Sequence, residues 1–123
     1  MTPGVVRRVV PHLHAESFEK SREFWVGVLG FEVVMDVGRM VTLASPSNPT
    51  AQVHLIRSSD DSGFWPDLTV EVGDVDAVHA AAVDRGENIV YDLTDESWGV
   101  RRFFVIDPTG AVLNVMSHRP GHH

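Results

Sequence analysis

The chain has 123 residues, 43% of them hydrophobic, no cysteine, and a formal charge of −7 from 17 acidic residues against 10 Lys and Arg. That supplies one compact domain or two small modules sharing a core, and no run of about 18 apolar residues marks a transmembrane helix; without cysteine there are no disulfides, thiolate zinc sites or cysteine nucleophiles. The basic residues are scattered apart from Arg7-Arg8 and Arg101-Arg102, so no basic face offers itself to phosphate and no nucleic-acid partner is expected.

The first element is a strand over residues 5–16. Within it "VVPHLHAESF" puts His12 and His14 on one face, because strand residues two apart point the same way. Ser17 stands where an N-cap belongs, and "SFEKSREFWVGVLG" carries Phe18, Ser21, Trp25, Val28 and Leu29 at helical spacing before Gly30 ends it. Residues 31–36 and 39–44 predict a hairpin turning near Val37-Gly38. "SPSNPT" predicts a loop with two prolines, and "AQVHLIRS" a further strand.

The order then repeats. "DLTVEV" predicts a strand, Asp74 caps the helix "DVDAVHAAAVDRG" ending at Gly86, and "NIVYDL" is the next strand. "VRRFFVI" and "AVLNVMSH" pair across the turn "DPTG", where Asp107 accepts backbone hydrogen bonds. Aligning Ser17 with Asp74 and Gly30 with Gly86 superposes the halves at offsets of 57 and 56 residues. The chain therefore reads as an α+β fold of two βαβββ modules in tandem, residues 1–58 and 64–118, their sheets curling around a central cavity. Residues 119–123 form a disordered tail, whose His122 and His123 belong to no site.

Two motifs extend this pattern. "EKSREFWVGVLGFEVV" resembles the first-helix signature of the vicinal oxygen chelate superfamily, and "WGVRRFFVIDPTGAVLNVMS" resembles its closing signature. The resemblance spans nearly the whole chain. Members include glyoxalase I, extradiol dioxygenases and bleomycin-resistance proteins, which share a cavity and differ in chemistry. Metal-using members place four ligands on cavity-facing strand positions. Carried over residue by residue, those positions are Val10, His54, Asp67 and Asn114. Valine cannot bind a metal, and a neutral Asn is a poorer donor than Glu. The resemblance thus implies a metal-poor protein of the bleomycin-resistance-like type, with no cofactor. If a divalent cation is bound, its ligands are His54, Asp67 and His12.

Strand parity carried over from the family puts Val10, His12, His14, Gln52, His54, Ile56, Asp67, Thr69, Glu71, Trp98, Val100, Arg102, Phe104, Val112, Asn114 and Met116 on the cavity side. The candidate ligand contacts are His12, His14, His54, Trp98, Arg102, Phe104 and Asn114. Four of them have a plainer alternative: His12 and His14 as polar residues of a sheet face, His54 as a hydrogen-bonded core histidine, and Arg102 as the partner of Glu71 or Asp67. Trp25 packs in the core. Trp65 is a hinge plug or a lid. Gly99 leaves backbone room beside Trp98.

The expected protein is cytoplasmic and homodimeric, sequestering a hydrophobic or aromatic, in part cationic, small molecule. Two alternatives remain open. One is a metal-dependent glyoxalase-like lyase, isomerase or dioxygenase; the other is a metal-free proton-transfer enzyme with His54 as the candidate base.

Overall fold

The computed structural model describes residues 5–57 and 66–118. Trp65 and the tail 119–123 lie outside the described residues, as does the expectation attached to each. Ten elements follow in chain order: β1 (Val6–Ala15), α1 (Phe18–Gly27), β2 (Glu32–Asp36), β3 (Met40–Ser45), β4 (Asn48–Arg57), β5 (Leu68–Val72), α2 (Val75–Asp84), β6 (Asn88–Asp95), β7 (Val100–Ile106) and β8 (Val112–His118). This is βαβββ twice, the α+β duplication read from the sequence. Among the described residues no helix is long and apolar enough to cross a membrane.

The chain separates into two compact units. The first module holds residues 10–57. The second holds residues 66–118 together with 5–9, so the boundary falls inside β1, after Val9.

In the first module the strand order is β2-β3-β4-β1. β3 pairs antiparallel with β2 and β4, and β1 pairs parallel with β4. One sheet face carries Val41, Leu43, Val53 and Leu55, which with Phe18 form the core, and Trp25, Phe31 and Val33 pack against it. Trp25 meets Phe31 edge to face at 4.9 Å.

Two expectations here are corrected. α1 stops at Gly27, leaving Val28 and Leu29 exposed and outside the core. The six residues "SPSNPT" are not all loop, because Ser45 pairs with Asn48 across a tight turn. The register shifts between Ala44 and Ser45, so the extra residues, Pro49 among them, bulge out of β4, and Gln52 Nε2 closes the bulge onto Pro49 O at 2.9 Å. A bulge is where a strand tolerates proline, whose missing N–H would break a regular ladder.

In the second module the order is β5-β8-β7-β6. β5 and β8 are parallel, and β7 is antiparallel to both β8 and β6. Val72, Val75, Phe103 and Val115 make its core. The carboxylate of Asp74 caps α2 by accepting from Ala77 N–H. Residues 5–9 are tied in by Gly73 N–H donating to Val5 O and by an Arg8–Glu71 ion pair. The turn at 107–110 forms as expected: Asp107 Oδ1 accepts from the N–H groups of Thr109 and Ala111, and Gly110 takes a positive φ of 92°.

Candidate functional site

Each module presents a row of three side chains on the face away from its core. In the first, the ladders pair Thr42 with His54 and His54 with His12, across β3, β4 and β1. Directly paired residues share a face, and these have the opposite parity to the core residues. The rings of His12 and His54 lie 4.9 Å apart, tilted by 32°. Thr42 is almost wholly buried, and its Oγ1 has no hydrogen-bond partner among the described residues. Two residues before His12, Val10 is fully buried; two after it, His14 is exposed.

The equivalent row in the second module is Phe104, Asn114 and Thr69, paired across β7, β8 and β5. All three are buried. Asn114 Nδ2 donates to Thr69 Oγ1 at 3.0 Å, while Asn114 Oδ1 accepts nothing among the described residues. Asp67 is exposed and committed to the backbone: Val112 N–H donates to its Oδ2 at 2.9 Å, and Asp67 N–H donates to Val112 O.

The densest chemistry surrounds Arg102. Its guanidinium carbon lies 4.8 Å from the centroid of Phe104, 5.2 Å from Trp98 and 5.5 Å from Tyr91. Its Nε donates to Glu96 Oε2 at 2.8 Å, and the Tyr91 hydroxyl donates to the same oxygen at 2.6 Å. The expected Glu71 or Asp67 partner is thereby corrected to Glu96. Glu71 is held by Arg8, with His118 Nε2 at 3.7 Å from its second oxygen, and Asp67 serves the Val112 backbone. Both members of the new pair are largely shielded, with side-chain exposures of 23% for Arg102 and 13% for Glu96. Burial alone would raise the Glu96 carboxyl, but hydrogen bonds from Tyr91 and Arg102, with the charge of Arg102, hold it below its ordinary 4.5.

Two of these residues escaped the sequence reading. In the sequence Tyr91 reads as one more residue of the strand "NIVYDL", yet it is the only tyrosine of the chain and pairs directly with Phe104. Bulges between Ile89, Tyr91 and Thr94 disturb the alternation there. Glu96 sits in the β6–β7 turn, where Gly99 N–H donates to Glu96 O and Glu96 N–H to Val100 O. Gly99 takes a φ of 90°. A left-handed backbone of that kind favours glycine. On the other parity, Arg101 binds Asp76 and Asp95.

The four positions that the resemblance gives to metal ligands do not suit a metal. One is a buried valine, one a carboxylate engaged with backbone, and one an amide engaged with Thr69; only His54 carries an imidazole. Among the described residues no three His, Asp or Glu side chains group as a metal site would need.

Residues 9–115 match the model of the Glyoxalase/Bleomycin resistance protein/Dioxygenase superfamily. No curated protein matches the chain. Among solved structures, a glyoxalase/bleomycin resistance protein/dioxygenase superfamily member from Vibrio splendidus 12B01 is 22% identical with a TM-score of 0.71, over 93% of this chain and 99% of that one. The methylmalonyl-CoA epimerase of Mycobacterium tuberculosis is 19% identical with a TM-score of 0.68, over 94% and 89%. The Mn(II)-bound glyoxalase of Novosphingobium aromaticivorans is 18% identical with a TM-score of 0.64, over 92% of this chain and 38% of its own length. At such identities the likeness is one of fold.

Proposed function

The chain belongs to the Glyoxalase/Bleomycin resistance protein/Dioxygenase superfamily, and within it we propose a metal-independent binding protein of the bleomycin-resistance-like type, which takes up a planar organic molecule. The observation that carries this reading is Trp98. The residue is 62% exposed, an unusual place for the largest apolar side chain, yet its ring is backed by the guanidinium of Arg102. Phe104, Tyr91 and Glu96 hold that guanidinium in turn. A propped ring with an open side is a stacking surface, and its support lowers the cost of ordering it when a ligand arrives.

The test is a thermal-shift screen of planar aromatic compounds, run with and without chelator, alongside elemental analysis of the purified protein. The expected result is a concentration-dependent rise in Tm that chelator leaves unchanged. Stoichiometric metal that is required for the shift would overturn the reading. A homodimer is part of the proposal, supported by exposed Phe24, Val28 and Leu29 near the end of α1; a monomeric mass in sedimentation equilibrium removes that part.

The His12–His54 pair supports a second reading, a proton-transfer enzyme with His54 as base. It expects His54→Gln to abolish a turnover that Trp98→Ala leaves partly intact. Equal losses in the two variants count against it.

A further inference from the structure

We infer that the ligand of the Arg102 cluster carries a carboxylate, or an oxyanion of like geometry, attached to its aromatic ring system. This deepens the proposed function and rests on it. Arg102 spends only its Nε on Glu96. Among the described residues no side chain or carbonyl accepts from Nη1 or Nη2, although the side chain is about three-quarters shielded from solvent. The planar pair Nη1/Nη2 matches the two oxygens of a carboxylate, and such a charge-assisted, bidentate pair is stronger than a hydrogen bond to a neutral acceptor.

Glu96 is not in competition for that edge. Its Oε2 already takes both the Tyr91 hydroxyl and Arg102 Nε, which fixes the guanidinium from the side and leaves its end to another partner. The β6–β7 hairpin sets this geometry through the pairs Tyr91 with Phe104 and Thr94 with Arg102. The fork and the Trp98 ring are therefore presented together, 5.2 Å apart, as one unit. A cationic ligand, one of the possibilities raised by the sequence, would set its charge against the guanidinium while Glu96 is already engaged. The selectivity comes from the fork: the net charge of −7 works against any anion at long range.

The experiment uses the full chain and three probes of one shape: 2-naphthoate, 2-naphthamide and 2-naphthylmethylammonium, each titrated by calorimetry at pH 7. The carboxylate is expected to bind about tenfold or more tightly than the amide, and the ammonium most weakly. Arg102→Lys keeps the charge and loses the fork, and is expected to lower the carboxylate-to-amide ratio several-fold. Equal binding of carboxylate and amide by the unaltered chain, preference for the ammonium, or a ratio unchanged in Arg102→Lys each overturns the anion inference and leaves the stacking site standing. If none of the three binds, the binding reading itself falls, and the inference with it. The comparison within the unaltered chain decides the matter even if the variant does not fold.

Discussion

Thr42, His54 and His12 occupy in the first module the ladder positions that Phe104, Asn114 and Thr69 occupy in the second. The backbone frame is the same, a parallel pair flanked by an antiparallel strand, but the side chains differ at every position. In the first row two imidazoles lie near each other beside a threonine hydroxyl that has no partner among the described residues. In the second, an amide–hydroxyl bond and a buried phenyl ring support a guanidinium cluster. A duplicated fold fixes where side chains stand. It leaves their chemistry to diverge half by half, which is why membership of this superfamily does not by itself name a reaction.

The contrast is sharpest at the paired positions Phe104 and Thr42, where truncation is expected to have opposite signs. Phe104 is 4% exposed and packs under both Arg102 and Tyr91. Phe104→Ala is expected to cost about 3–5 kcal/mol in urea unfolding and to abolish aromatic binding. Thr42 is equally buried, but removing its hydroxyl deletes a polar group that nothing among the described residues satisfies. Thr42→Val is expected to stabilise by about 1 kcal/mol. A destabilising Thr42→Val would show that the hydroxyl is satisfied in solution, and the two rows would then be less different than they look.

Between these in size lies Glu96. Glu96→Gln weakens both bonds to the carboxylate and is expected to cost about 1.5–3 kcal/mol. The same group sets an acid dependence with a definite sign. Its carboxyl is held below the ordinary 4.5 in the folded chain, so its contribution is fully present above that value and is lost as pH falls through the lower, folded pKa. Unfolding free energies of the unaltered chain and Glu96→Gln are expected to converge as pH drops below 4.5. Curves that stay parallel would assign acid sensitivity to other carboxylates.

How far the sequence carries is visible in the same residues. The duplication, the two turns at glycines 86 and 110 and the cap at Asp74 follow from local chemistry, and the structure has them where the spacing puts them. That Arg102 and Phe104 share a face is legible, because β7 alternates strictly. Their partner is not. Glu96 reaches Arg102 only because the β6–β7 turn folds it back, and Tyr91 joins them across bulges that break the two-residue period. Glu71 and Asp67 stand as alternative partners of Arg102 in the sequence because parity alone cannot reveal that β1 brings Arg8 to Glu71, or that the Val112 backbone engages Asp67. Competition for partners is a property of the folded chain.

The smallest expected effect tests the comparison where the sequence makes the halves look most alike, at the start of each helix. Ser17 and Asp74 align in the duplication, and both residue types are good N-caps. Only Asp74 acts as one: its carboxylate accepts from Ala77 N–H at 3.1 Å, with an extended backbone at φ −137° and ψ 90°. Ser17 makes no side-chain capping bond, and α1 begins instead with Ser21 N–H donating to Ser17 O and with Phe18 buried in the core. The entry of α1 is thus set by apolar packing and that of α2 by a charged cap, which also interacts favourably with the positive end of the helix. Asp74→Ala is therefore expected to cost about 1 kcal/mol and Ser17→Ala only a few tenths, both read from urea unfolding. Equal costs would mean that Ser17 turns its hydroxyl to the helix in solution, and that the two helix starts work alike after all.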